Sequence, residues 1–328
     1  MKYLETGSTS PYYNLAFEEW VLTNLSDEDF LILWQNDNSV IIGQNQNTLE
    51  EIDPAFIKEH GINVVRRTTG GGAVYHDLGN LNYSFITDYD RSRGTDMSVF
   101  ADAVTNALKS LGLPAEKSGR NDILVDGKKI SGNAQRIVKV NGKERILYHG
   151  TLLYCSDAAM IAGALRPDPL KFSSKATKSV RSRVGNIADY MPAGTDLYDF
   201  WNALKESFGV DRPDNHLVDV CAVLTLKEDK YDKTEWNYGR SPQFSYKERR
   251  RFAGGTLDIR LNIEKGIIAD AHISGDFLSL KPASELSGLI KGLPYEREAL
   301  ERALSGVVIS DYLGTITKDE FFSVISSF

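Results

Sequence analysis

Cysteine is scarce: only Cys155 and Cys221 occur in 328 residues, far apart and without CxxC spacing, so neither a disulfide framework nor a thiolate zinc site is expected. The five histidines include no HExxH pair and lie far apart in the chain, which argues against zinc held by histidine. Long apolar runs are absent too, since nothing approaches the roughly 20 residues that span a bilayer. The start, MKYLETGSTSPYYN, has neither the basic nor the apolar segment of a signal peptide, so a cytoplasmic protein without membrane contact is expected. Basic charge is also short. A net charge of -7 opposes a chain that coats nucleic acid, because phosphate neutralisation needs a basic face.

What remains is a globular composition, 41% hydrophobic and 25% charged, in a chain longer than one core usually grows. One large domain with a smaller one, or two of middling size, follows from that length. Helical spacing runs from Asn14 to about Leu25, with Asn14 read as the N-cap and Glu18 and Glu19 near the positive helix start. Strand-like runs at 30 to 35 and 39 to 44 are split by Asn36-Asp37-Asn38, and NVVRRTTGGGAVYHDLGNLNYSFI reads as strand, glycine-rich turn and strand. A helix is predicted over 99 to 112. Asp126-Gly127 and Asn141-Gly142 are two-residue hairpin signals that require positive φ at both positions, giving a meander of strands at about 121 to 125, 128 to 140 and 143 to 154. Later helices are expected at 157 to 166, 198 to 208 and 216 to 228. The polar stretch 230 to 248 reads as a linker, followed by a hairpin through TLDIRLNIEKGIIADAHIS and helices at 283 to 292, 296 to 305 and 317 to 326. The chain is therefore divided into residues 1–240 and a small α+β unit, 241–328.

Three stretches offer chemistry. Arg66-Arg67-Thr68-Thr69-Gly70-Gly71-Gly72-Ala73 joins two guanidinium groups to a loop whose N–H groups an anion can approach, and it reads as a phosphate or carboxylate cradle. It matches neither a Walker A loop nor G-x-G-x-x-G, and a glycine-rich bend between strands is the plainer reading. His76-Asp77 is a weaker signal that can serve to orient this loop. In the Asp126-Gly127 hairpin, Leu124 should face Lys129 and Asp122 should face Ser131, so that Asp122, Lys129 and Ser131 share the face opposite Ile123, Val125 and Ile130. On residues alone, Lys129 is also explained as a surface lysine paired weakly with Asp122. The second hairpin sets His149 opposite Ala134 and Lys139 opposite Glu144, and brings His149-Gly150-Thr151 near Gly132-Asn133-Ala134, where Gly132 permits a bulge. A hydrogen-bonded sheet histidine accounts for His149 equally well. The third stretch, residues 171 to 183, holds Lys171, Lys175, Lys178, Arg181 and Arg183 with no acidic residue, as a loop that folds over a polyphosphate would.

Taken together, RRTTGGGAVYHDLGN at 66 to 80, SGRNDILVDGKKISGNA at 118 to 134 with HGTLL at 149 to 153, and TKSVRSRVGNI at 177 to 187 resemble lipoate-protein ligases. The resemblance extends from PYYNLAFEEW at 11 to 20 through EWNYGRSPQF at 235 to 244 and into the small C-terminal unit. It implies an α+β catalytic domain of mixed sheets flanked by helices, similar to biotin ligases and class II aminoacyl-tRNA synthetase cores, with a small accessory domain behind it. It also implies ATP and magnesium, a lipoyl-adenylate intermediate, and transfer to a lysine of lipoyl domains in dehydrogenase acyltransferase subunits or of the glycine-cleavage carrier protein, by a monomer. Lys129 matches the catalytic lysine. Arg67, Gly71, Gly72, Ala73, Val74 and Tyr75 match nucleotide positions, and Asn121, Asp122, Ser131, Ala134, His149, Gly150, Thr151, Lys178 and Arg181 complete the expected adenylate site, with Asp122 the one candidate magnesium ligand.

Two rivals share this superfamily, a biotin ligase and an acyltransferase that works through a cysteine thioester. GRND and SVRSRV favour the lipoate branch over biotin. Against the thioester route, Cys155 continues an apolar strand and is expected to be buried, as is Cys221 in DVCAVLTL. A nucleic-acid-binding module on a synthetase-like core is a third rival, opposed by the net acidity.

Overall fold

All five side chains of FLILW, Phe30–Trp34, are buried, and a strand of that kind needs cover on both faces. In the computed structural model, which describes residues 1–93, 96, 98–118, 121–165, 184–238, 246–264 and 266–325, it has that cover. Along the chain the strands are β1 (Lys2–Glu5), β2 (Phe30–Trp34), β3 (Ser39–Ile42), β4 (Asn63–Arg66), β5 (Val74–His76), β6 (Asn80–Asp88), β7 (Ala115–Ser118), β8 (Asp122–Val125), β9 (Lys128–Val140), β10 (Lys143–Leu153), β11 (Tyr246–Phe252), β12 (Gly255–Glu264) and β13 (Ile267–Gly275). A mixed sheet runs β1-β2-β6-β10-β9-β8-β7, and β4-β3-β5 forms a small sheet beside it. Side-chain alternation divides β2 between two cores. Leu31 and Leu33 join Tyr83, Phe85 and the helices Ser98–Ser110 and Leu197–Ser207, while Phe30, Ile32 and Trp34 join the helix Pro11–Asn24 and β3. The runs at 30 to 35 and 39 to 44 therefore enter different sheets rather than pairing with each other.

The predicted meander forms, with Asp126 and Asn141 at φ 49° and 50° and their glycines also positive. The first helix starts earlier than its expected N-cap. Ser10 caps it ahead of Pro11, and Asn14 is buried in the first turn with its amide donating to the Ser8 and Gln35 carbonyls. Glu18 and Glu19 are buried a turn further on and are used in tertiary bonds rather than at a helix end.

Residues 246–325 build a separate core in which β11-β12-β13 packs against helices that include Ala283–Ile290 and Lys318–Ile325. Within the stretch read as a linker lie the helix Thr234–Tyr238 and, from Tyr246, the edge strand β11. No helix among the described residues is long and apolar enough to cross a membrane.

Candidate active site

The β8–β9 hairpin aims Lys129. Leu124 lies opposite Lys129 as the turn signal requires, but Ile123 lies opposite Ser131, so Ile130 is an extra residue on β9. This bulge comes before Gly132 and alters the expected facing. Lys129 and Asp122 stay together, Nζ to Oδ1 at 2.8 Å, while Ser131 turns inward to a fully buried position with Tyr83 and Asn133 as partners. A Cβ on residue 132 would lie 2.9 Å from the Lys129 Nζ, so the glycine makes room for the ammonium. Both charges of the pair are 35% exposed, which makes it an orienting contact worth at most about 1 kcal/mol of stability. On the next residues, Asn121 and Asn133 exchange side-chain-to-carbonyl bonds of 2.8 and 3.0 Å, and Gly132 N–H donates to Thr151 Oγ1 at 3.1 Å.

The two arginines before the glycines hold protein rather than an open anion site. Arg67 donates from Nε to Thr69 Oγ1, from Nη1 to the Ile41 carbonyl, and from Nη2 to the carbonyls of Gly70 and Gly72, at 2.6 to 3.1 Å. It thereby fixes the curvature of the loop from inside. Arg66 donates to the carbonyls of Gly43, Gln44, Gln46, Trp236 and Asn237 and to Thr48 Oγ1. Burial lowers both guanidinium pKa values to about 10, so both stay charged at neutral pH. The outside of the loop rests on the C-terminal unit. Gly71 N–H donates to the Phe277 carbonyl at 3.0 Å, and a Cβ on Gly70 would stand 2.7 Å from the same oxygen. Asn45 reinforces the contact through Ser279 Oγ, Ala283 N–H and Gly275 N–H.

His149 lies opposite Ala134, and Lys139 opposite Glu144, as the hairpin register predicts. The His149 Nδ1 lies 2.8 Å from Glu18 Oε1, and its Nε2 lies 2.7 Å from Thr69 Oγ1. Ser84 Oγ also donates to Glu18, and Trp34 Nε1 donates to Ser84 at 2.8 Å. Glu18, His149, Thr69 and Arg67 thus link the first helix to the glycine loop through a continuous set of bonds. His76 is buried next to them, with its Nδ1 3.1 Å from the Asn36 amide. Desolvation first, and then the nearby Arg67 and His149, push its pKa down to about 3.

These parts enclose one cleft of about 610 Å³. Lys129, Asp122, Asn121, Gly132, Thr151 and the Gly71–Gly72 turn form its polar wall, while Leu15, Trp34, Ile41, Ala73, Val74 and Ala134 form an apolar one. Arg67, His149 and Gly150 reach it too. Tyr75, expected there, is buried instead with its hydroxyl donating to Asn38 Oδ1, and Ser131 is likewise off the wall. Lys178 and Arg181, with the rest of the basic stretch, lie outside the described residues. Val184 bridges to Lys129 and stands on the cleft wall. His76, marked in the sequence as a weak signal for orienting the loop, lines the cleft with Trp34, Arg251 and Asp276, which had no signal in the sequence strong enough to select them.

A second cleft of about 450 Å³ opens near Arg66, Arg260 and Lys291. Its cations are already engaged: Arg66 by carbonyls, Arg260 by Asp258 and Glu50, and Lys291 by Asp270. Cys155 and Cys221 are both exposed, contrary to the expectation of burial. Neither belongs to the described lining of the large cleft, and partial desolvation followed by the Asp77 carboxylate raises the Cys155 thiol pKa, the wrong direction for a nucleophile.

A lysine beside a glycine turn in a cleft with an apolar wall agrees with the family comparison. Residues 10–209 match the lipoyl protein ligase A/B catalytic domain, and residues 241–325 match the bacterial lipoate protein ligase C-terminus. The chain belongs to the lipoate-protein ligase family. It is 42% identical over 323 residues to lipoate-protein ligase LplJ of Bacillus subtilis strain 168, with 96% of each chain covered. Among solved structures, it resembles P. falciparum LipL1 in complex with lipoate at a TM-score of 0.79 and 27% identity, covering 93% of this ligase and 94% of that chain. It also resembles lipoate-protein ligase A bound with ATP at a TM-score of 0.60 and 31% identity, covering 73% and 98%.

Proposed function

We propose that this ligase activates lipoate with ATP to give lipoyl adenylate and pyrophosphate, and then passes the lipoyl group to the ε-amine of a lysine on a lipoyl carrier domain. The observation that carries this reading is Lys129, its ammonium held beside Gly132 by Asp122 on the wall of a cleft with both an apolar and a hydrogen-bonding side. In the first step, a lipoate carboxylate oxygen attacks the α-phosphorus, a C–O–P anhydride forms, and the P–O bond to pyrophosphate breaks. Two anions must approach each other, so positive charge fixed beforehand is the main requirement, and removing one such donor costs about 3 to 4 kcal/mol in the transition state. Lys129 supplies that charge. The dithiolane tail takes the apolar wall of Leu15, Trp34 and Ile41. In the second step the lysine amine attacks the acyl carbon, an amide forms, and AMP leaves.

Among the described residues no cluster of three or more His, Cys, Asp or Glu is built to hold a metal. The lining fits a magnesium ion that takes most of its oxygens from phosphate and water, with Asp122 the carboxylate available next to Lys129. When bound, magnesium neutralises phosphate charge. The reading extends to lipoyl domains of dehydrogenase acyltransferase subunits and the glycine-cleavage carrier as acceptors. It has residues 1–240 carrying the chemistry and 241–328 acting as an accessory domain, in a cytoplasmic monomer. Tyr75 contributes through its backbone, and Lys178 and Arg181 belong to the adenylate-binding set.

The test is pyrophosphate release from ATP and magnesium with lipoate, octanoate or biotin. Lipoate-dependent release that is lost in Lys129→Ala and retained in Cys155→Ala is the expected result. No release with any acid, together with acyl transfer that needs Cys155, would replace this reading with the thioester one.

A further inference from the structure

One row of side chains crosses the large sheet along the cleft. Trp34 on β2 and Thr151 on β10 both stand opposite Asn82 on β6, and Thr151 Oγ1 accepts the Gly132 N–H beside the Lys129 ammonium. Asn82 therefore lies two strand spacings, about 10 Å, from the strand that carries Lys129. His76 reaches the same end of the row from β5, its ring in an edge arrangement with Trp34 at a centroid distance of 6.4 Å.

This end of an otherwise apolar slot carries two polar atoms that find no partner among the described residues, His76 Nε2 and Asn82 Nδ2, on residues 3% and 2% exposed. Both are donors. For His76, the Asn36 amide nitrogen lies 3.1 Å from Nδ1. That amide is oriented by Asn14, whose nitrogen donates to the Ser8 and Gln35 carbonyls and to Asn36 Oδ1, so the Asn36 nitrogen is left to face the ring. An amide nitrogen only donates, so Nδ1 accepts, and the neutral ring carries its hydrogen on Nε2. Burial, and then the charge of Arg67, keeps the ring neutral. Asn82 accepts from Asn80 Nδ2 through its Oδ1 at 3.0 Å and leaves its own Nδ2 to the cleft. A buried donor is costly unless a ligand supplies its acceptor.

We propose that His76 and Asn82 form a donor subsite for the dithiolane sulfurs, so that the enzyme selects lipoate by its ring sulfurs and not by its carbon skeleton alone. This rests on the lipoate-activating reading above. With the carboxylate at Lys129, an acyl chain extended along the row brings the ring to Trp34, His76 and Asn82. Divalent sulfur is a weak acceptor and a polarisable neighbour for an aromatic ring, so Trp34 suits it as well. The methyl end of octanoate in the same place leaves both N–H groups unpaired, and a site built to hydrogen-bond its substrate rejects the analogue that lacks the bonding atom. The far end of the slot then decides between the acids.

The experiment compares lipoate with cyclopentylpentanoate, an acid of the same shape with two methylenes in place of the sulfurs. Pyrophosphate release is followed for the full-length enzyme and its Asn82→Leu and His76→Phe variants, and the quantity read is the ratio of the KM values for the two acids. That ratio does not depend on the fraction of active protein, so a variant that folds poorly still reports. In the parent, the KM for the carbocyclic acid is expected to be about 10- to 100-fold the higher, the range for leaving buried donors unpaired. Each substitution should narrow the ratio by about 3- to 10-fold, chiefly by improving the carbocyclic acid, because one unpaired donor has been removed. A ratio near one in the parent overturns the proposal. So does a ratio that neither substitution moves, since a purely structural effect changes both acids alike. Failure of the unaltered enzyme to release pyrophosphate with lipoate would instead overturn the adenylation reading and this subsite with it.

Discussion

Gly71 of the glycine loop and Phe277 of the C-terminal unit share a backbone hydrogen bond of 3.0 Å. The neighbouring Gly70 has so little clearance that an added Cβ would meet the Phe277 oxygen at 2.7 Å and the Ser279 nitrogen at 3.1 Å, both backbone atoms with little freedom to move. Gly70→Ala is therefore expected to destabilise the protein by about 1 to 3 kcal/mol, as overpacking does. Adenylation should fall along with the denaturant midpoint. A variant with the midpoint of the parent would show that the two units are not pressed together in solution.

Gly132→Ala should behave in the opposite way. The atom it would meet is the far end of a flexible side chain, the Lys129 ammonium at 2.9 Å, so stability should hardly change. Displacing that charge should reduce pyrophosphate release by about 10- to 100-fold, a part of what complete loss of a transition-state donor costs. Equal rates for Gly132→Ala and the parent would mean that Lys129 is not held where the chemistry needs it.

His76 gives the fold a defined acid sensitivity. Its folded pKa of about 3 lies below the ordinary value of 6.5, so the unfolded chain binds the extra proton across that interval. Stability from this source is fully present above about pH 6.5 and is lost as pH falls towards 3, at up to about 1.4 kcal/mol per pH unit. Urea unfolding between about pH 7.5 and 4.5 should show a shallower pH dependence in His76→Gln than in the parent. Parallel slopes would assign the acid sensitivity to other groups.

Arg66→Met is expected to be among the most damaging single changes in the catalytic domain. It removes the buried charged donor that the carbonyls of Gly43, Gln46 and Trp236 share, at a cost of about 3 kcal/mol or more. Calorimetry would detect this as a large fall in Tm, and a shift of only a degree or two would contradict it.

The exposed thiol at Cys155 makes a simpler claim. Capping it with a maleimide, or replacing it in Cys155→Ser, should leave lipoate-dependent pyrophosphate release unchanged. Loss of activity in Cys155→Ser would revive the thioester mechanism.

Local chemistry is what made part of this structure legible from the sequence. Asp126-Gly127 and Asn141-Gly142 dictate positive φ over two residues, and from them the meander, the Lys129–Leu124 pairing and the His149–Ala134 pairing all follow. The bulge at Ile130 was not readable, because an extra residue in a strand changes no composition, and Ser131 was placed on the wrong face as a result. The role of Glu18 was equally hidden. Its partner His149 is 131 positions away, and only the packed sheet brings them together. The structural part played by the Arg66-Arg67 pair was hidden for a related reason, since most of its acceptors are backbone carbonyls, which every sequence has and no motif marks. Only the first residues of the strand YKERRRF, Tyr246–Phe252, fall in the stretch read as a linker, and its charges obscure the alternation of an edge strand.

The helix Thr234–Tyr238 has a consequence for synthesis on the ribosome. Arg66 leaves the exit tunnel long before the Trp236 and Asn237 carbonyls it must meet, which are made 170 and 171 residues later. At translation speeds of about 5 to 20 residues per second, that delay is about 10 to 30 s. During it, Arg66 has only its Gly43, Gln44, Gln46 and Thr48 acceptors, and its set of bonds is completed once the polypeptide has passed Tyr238. Stalled nascent chains released just short of this point should be protease-sensitive, and chains with Tyr238 clear of the tunnel should resist.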